Sequence, residues 1–121
     1  MLTVERMDET MIRLELSGQL DATEMEVALD RLIDETKDMK DGKLLYVIDD
    51  FEIPTLGAMM VEMKKLPALF SMIGRISKAA VCADEAWIRT VAEWEGVLFP
   101  GLEIKGFEEN AEEEAKAWLM A

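Results

Sequence analysis

The run Leu44-Leu45-Tyr46-Val47-Ile48 constrains this chain more than any other feature, because five consecutive apolar residues leave no polar face. A strand with one wet face alternates apolar and polar residues, so an unbroken run marks a strand covered on both sides, as in parallel sheets. It is far too short for a bilayer, which needs ~20 apolar residues. Asp41-Gly42 reads as a turn before it, and Asp49-Asp50-Phe51-Glu52-Ile53-Pro54 as an exit loop after it. The run therefore belongs at the centre of a sheet, and the rest of the chain must supply helices for both faces.

The flanking segments have the right periods. Leu2 and Val4, then Ile12, Leu14 and Leu16, alternate with polar neighbours on either side of Asp8-Glu9-Thr10, which predicts paired antiparallel strands over 2–7 and 11–17. Asp21 stands three residues before Glu24 in a capping-box arrangement, and Met25, Ala28, Leu29, Leu32, Ile33 and Thr36 follow at helical spacing, predicting a helix over 22–39. Thr55 is placed to cap a second helix bearing Leu56, Met59, Met60, Met63, Leu66 and Phe70, which Pro67 should kink or divide. Ile76–Ala83 reads as a strand. Asp84 then caps a helix bearing Trp87, Ile88, Val91, Trp94 and Leu98, ended by Pro100-Gly101. Leu102, Ile104 and Phe107 mark a last short strand, and Asn110 with Glu113 opens a C-terminal helix carrying Ala111, Ala115, Trp118 and Leu119.

The order ββαβαβαβα predicts an α/β fold with a mostly parallel mixed sheet, an antiparallel first strand and right-handed crossovers. At 121 residues the chain reads as one domain over 1–121, since chains usually divide only beyond ~250–300 residues.

Composition removes whole classes of chemistry. There is no histidine and one cysteine, Cys82, which excludes imidazole bases, Cys/His zinc sites and any disulfide within the chain. No metal or other cofactor is expected. Thirteen basic residues against 26 acidic ones give a net charge of −13, a field that repels phosphate backbones, so nucleic acid is not an expected partner. No apolar run has signal-peptide or membrane-span length, and an unpaired Cys82 suits a reducing compartment, so a cytoplasmic location is expected.

Taken in order, the opening hairpin into Ser17-Gly18-Gln19-Leu20, the strand Leu44–Ile48 running into Asp49-Asp50-Phe51-Glu52, and Thr55-Leu56-Gly57-Ala58 at a helix start form a recognisable series. With the closing Glu114-Ala115-Lys116-Ala117-Trp118-Leu119, the pattern resembles the SpoIIAA-like family of the STAS superfamily over nearly the whole chain. That superfamily includes bacterial anti-sigma-factor antagonists and the cytoplasmic domains of sulfate transporters. The resemblance implies a right-handed β–α superhelix, also likened to the CRAL-TRIO lipid-carrying fold, and no established enzymatic activity. In the classical antagonists a serine of an Asp-Ser-Ser-Gly segment at the start of the corresponding helix is phosphorylated. This chain has Pro54-Thr55-Leu56-Gly57 there, so Thr55 is the candidate regulatory phosphoacceptor, with a plain N-cap as its alternative.

Two groups of residues remain as candidate sites. The second helix is apolar on more than one face, with Met59, Met60 and Met63 beside Leu66 and Phe70, and methionine suits an adaptable apolar surface. Core packing is one reading. The other is a ligand or partner surface of Met59, Met60, Met63, Phe70, Trp87 and Trp94, meeting a protein partner, a second copy in a homo-oligomer, or an apolar small molecule such as a lipid chain. Asp49, Asp50 and Asp84 leave neighbouring strands where open α/β sheets place ligands, and form a candidate polar site. No phosphate-cradling glycine loop accompanies them, and no catalytic residue is assigned. The expectation is a non-enzymatic interaction or regulatory module, with an apolar-ligand carrier as the competing class.

Overall fold

A computed structural model of the chain describes residues 1–84, 86, 90 and 101–121. Strands β1 (Leu2–Arg6) and β2 (Met11–Gly18) form the expected antiparallel hairpin, with Val4 opposite Leu14 and Leu2 opposite Leu16. The Asp8 carboxylate holds the turn by accepting from the N–H groups of Thr10 at 2.8 Å and Met11 at 2.9 Å. These bonds, the Thr10 amide first, favour the charged form and hold Asp8 below the ordinary carboxylate range.

Helix α1 (Ala22–Thr36) opens on Asp21, whose side chain accepts from the N–H of Glu24 at 2.8 Å. It ends at Thr36 rather than near residue 39. Met39 instead turns back into the core beside Val4, Ile12 and Leu32, its N–H bonded to the Thr36 carbonyl. Arg6 ties the hairpin to this helix end, donating to the carbonyls of Glu35 and Glu9 at 2.9 Å each. A cation there answers the free carbonyls and the negative end of the dipole.

The central apolar run lies within β3 (Gly42–Phe51), followed by α2 (Leu56–Lys64), α3 (Leu66–Ile73) and β4 (Ile76–Ala83). Gly42 enters β3 through a tight gap, since a Cβ there would lie 2.9 Å from Ile76 Cδ1 and 3.2 Å from the Arg75 carbonyl. Pro67 divides the second helix as its position predicts, sitting in the first turn of α3, where its missing N–H removes no helical bond. After the segment beyond Asp84 come β5 (Glu103–Phe107) and α4 (Glu112–Met120). The predicted helix bearing Trp87 and Trp94 lies outside the described residues. Asn110 does not cap α4. Ala111 holds the cap position without a side-chain bond, and Glu112, Glu113 and Glu114 compensate the dipole in the first turn instead.

The sheet order is β1-β2-β3-β4-β5, antiparallel at β1–β2 and parallel elsewhere, so β3 is the middle strand. Both faces of β3 are covered. Leu45 and Val47 pack with Met11, Ala80, Cys82 and Phe107 against Ala115 and Leu119 of α4. On the other face Leu16, Ile48 and Val81 meet Met25 and Leu29 of α1 and Ala58 of α2, while Ile12 and Leu14 meet Ala28, Leu32 and Met72. Each large side chain so buried contributes ~1.5–3 kcal/mol relative to exposure, which makes the two cores the main source of stability. Among the described residues, no helix is long and apolar enough to cross a membrane.

Candidate functional site

Helices α2 and α3 carry the first candidate site. Thr55 caps α2 as its placement predicts, its Oγ1 accepting from the Ala58 N–H at 3.2 Å while its own N–H donates to the Leu20 carbonyl. Along the two helices only Ala58 and Met72 are buried, with Val61 and Leu69 partly packed beneath. Ile73 packs on the same core, and the other large apolar side chains face solvent: Leu56 is 72% exposed, Met60 53%, Met63 67% and Phe70 55%, with Met59 and Leu66 less so. So many large apolar side chains left in water on adjoining helices form an exposed apolar patch, the kind of surface that soluble domains seldom leave open. The charges on these helices are few: Glu62, Lys64 and Lys65, the last ion-paired to Asp30 of α1. Trp87 and Trp94, expected on the same surface, lie outside the described residues. Beneath the helices Tyr46 projects from β3, its phenol pushed up to about 12 by burial, with Glu62 adding a smaller effect.

The second candidate lies at the carboxyl end of the sheet. Asp49 and Asp50 lie in the last residues of β3, Asp84 follows β4, and β5 leads into Glu108, Glu109 and Asn110 at the same end. An open depression of about 490 Å³ is lined by Asp84, Glu108, Glu109 and Asn110. The Glu109 carboxyl is hydrogen-bonded to that of Asp49, which raises it above its ordinary value; Asp84 and Asp50 repel it further. Asp50 adopts φ 56° beside Gly18 at φ 68°, a bulge at which the β2–β3 register shifts by one residue before Gly18 pairs with Phe51, so the exit loop expected from Asp49 begins only after Phe51. Among the described residues, no group of carboxylates is arranged to hold a metal ion. The arrangement concentrates negative charge at the strand ends.

A family model described as SpoIIAA-like matches residues 11–120. The chain belongs to the SpoIIAA-like family. The crystal structure of an uncharacterised DUF3478-family protein from Shewanella loihica PV-4, with a SpoIIAA-like fold, is similar at a TM-score of 0.74. The two share 18% identity, over 98% of this chain and 92% of that one, a likeness that speaks for the fold alone. No curated protein matches the sequence.

For a SpoIIAA-like chain, the residues that sequence reasoning missed are the long-range ones. Glu109 reads in sequence as part of a solvated acidic run, and nothing in its spacing signals that β5 will set it against Asp49. Arg13 likewise reads as the polar side of an edge hairpin. It instead binds Glu112 of α4 through two bonds, Nε to Oε2 at 3.2 Å and Nη2 to Oε1 at 2.8 Å, and also reaches Glu15 at 2.9 Å. The pairing lowers Glu112, chiefly through the Arg13 hydrogen bond, and raises Arg13. Cys82 is buried in β4 as expected, its thiol pushed up to about 11 by burial, with Glu112 adding and Arg13 opposing. A thiol so poor in thiolate is a packing group, not a nucleophile.

Proposed function

We propose that this SpoIIAA-like chain is a non-enzymatic cytosolic interaction module that binds another protein through the exposed face of α2 and α3. The observation that carries the reading is the outward stripe of Leu56, Met59, Met60, Met63, Leu66 and Phe70, a set of side chains whose exposure to water costs stability unless something covers it. The competing carrier of an apolar small molecule would enclose Met59, Met60, Met63 and Phe70 around a cavity; their outward exposure favours an interface. Thr55 stands at the head of the same face, so a phosphate on its hydroxyl would replace the cap and add negative charge where a partner docks. Asp49, Asp50 and Asp84 are proposed as a polar rim to that surface rather than a reaction centre.

Met60→Glu combined with Met63→Asp tests the reading, because both side chains are exposed and the fold does not need them. Photo-crosslinking from the α2 face in the producing cell should yield a protein adduct with the native chain and none with the double variant, while the circular dichroism spectrum and Tm stay unchanged. An adduct that persists in the variant places the interface elsewhere and refutes the assignment.

A further inference from the structure

The stripe and the charge around it together describe a partner. Leu56, Met59, Met60 and Met63 recur at i, i+3, i+4 and i+7 over ~10 Å of α2, and exposed Leu66 follows at the start of α3, an apolar length that a helix of about two to three turns would cover. Three of these five are methionines, whose unbranched side chains reshape around differing apolar knobs, so the stripe fits a helical ridge better than one fixed shape. Charge then selects the helix. In the segment that leads into α2, Asp50 and Glu52 are exposed and, among the described residues, form no ion pair, while Asp49 lies close to Glu109. Lys64 ends α2 and Arg75 follows α3, both without a carboxylate partner among the described residues, while Lys65 is paired with Asp30.

Resting on the reading of α2 and α3 as the interaction face, we infer that its occupant is a positively charged amphipathic helix of another protein, with apolar residues on the methionine stripe and its Lys or Arg residues over Asp50 and Glu52. The whole-molecule charge of −13 draws such a helix in. The same charge opposes the other coverings: a second copy brings an equal negative charge, and an anionic membrane presents its own.

Three synthetic helical peptides test this. All carry leucine at the same i, i+3, i+4, i+7 positions, and the remaining positions are lysine in one, glutamine in the second and glutamate in the third. Titration calorimetry against the full chain should rank them lysine, glutamine, glutamate, with at least about tenfold between the first and last. Methyl NMR of labelled methionine should show Met59, Met60 and Met63 shifting and buried Met25 unmoved. Glu52→Gln should weaken the lysine peptide several-fold while leaving the glutamine peptide unchanged. Equal affinities, or the reverse order, with shifts at the same methyls overturn the basic partner and leave the face standing. Lysine-peptide binding that survives Met60→Gln with Met63→Gln is unspecific attraction to an acidic protein and overturns the inference. So does sedimentation of the free chain as a dimer through these methyls, or tighter binding to anionic vesicles than to the peptide. No binding of any peptide removes a helix as the occupant, and the crosslinking experiment then decides separately whether the face itself is the interface.

Discussion

Glu109 lies far from Asp49 in the chain but beside it at the strand ends, so on folding it gains a hydrogen-bonded, like-charged neighbour. The sign of the consequence follows from the raised Glu109 carboxyl. Its stability contribution is fully present below the ordinary value of 4.5 and is lost as pH rises through the raised folded value. Asp49→Asn removes the repulsion, so at neutral pH the variant should be more stable than the native chain, and the difference should shrink as the solution is acidified toward the ordinary glutamate range. Thermal melts of both proteins across that window check it; a variant less stable at neutral pH would show that the pair holds the strand ends together. Glu112 has the opposite sign, because Arg13 lowers its pKa: its contribution is present above 4.5 and is lost as pH falls through the lowered value. Single residues of this kind were the least legible part of the sequence, since Arg13 and Glu112 meet across a separation of 99 residues.

At the scale of elements the sequence was far more legible, because caps, breakers and periodicity act within a turn or two. Asp21 and Thr55 cap the helices they precede, Pro67 divides α2 from α3, and Asp41-Gly42 turns the chain into β3. The start of α4 was displaced by one residue, since Asn110 faces the depression at the strand ends while Ala111 opens the helix. Thr55 is the cap of α2 and the proposed regulatory position. Thr55→Ala leaves the Ala58 N–H without its acceptor and should cost about 1 kcal/mol, lowering Tm by several degrees, whereas Thr55→Ser should recover most of the loss. Equal stability of all three proteins would mean that water serves the Ala58 N–H as well as the hydroxyl does. The outward side of α2 was ambiguous in sequence, because Leu56, Ala58, Met59, Met60, Val61 and Met63 surround the helix with apolar groups and no amphipathic stripe selects one side.

Over the whole molecule, 26 acidic side chains are held in the volume of one small domain, and only part of that charge is answered by ion pairs such as Arg13–Glu112, Arg6–Glu35 and Lys65–Asp30. Self-repulsion should therefore reduce stability at low ionic strength, and raising salt from about 20 to about 200 mM should raise Tm by shortening the screening length. A Tm that falls with salt would mean that the ion pairs outweigh the net repulsion. At this scale the unbroken run Leu44–Ile48, the helical stripe of α1 and the alternation of the opening hairpin by themselves determined an α/β domain with β3 at its centre and an antiparallel first strand. Those features are short-range consequences of side-chain period and backbone capping, and they need no knowledge of distant residues. Only the tertiary structure decided which apolar side of α2 stays in water, which carboxylates gather at the strand ends, and that Arg13 reaches α4. Those outcomes depend on strand order and register, which bring residues together through space, and a periodic pattern along the chain carries no record of the partner across the sheet.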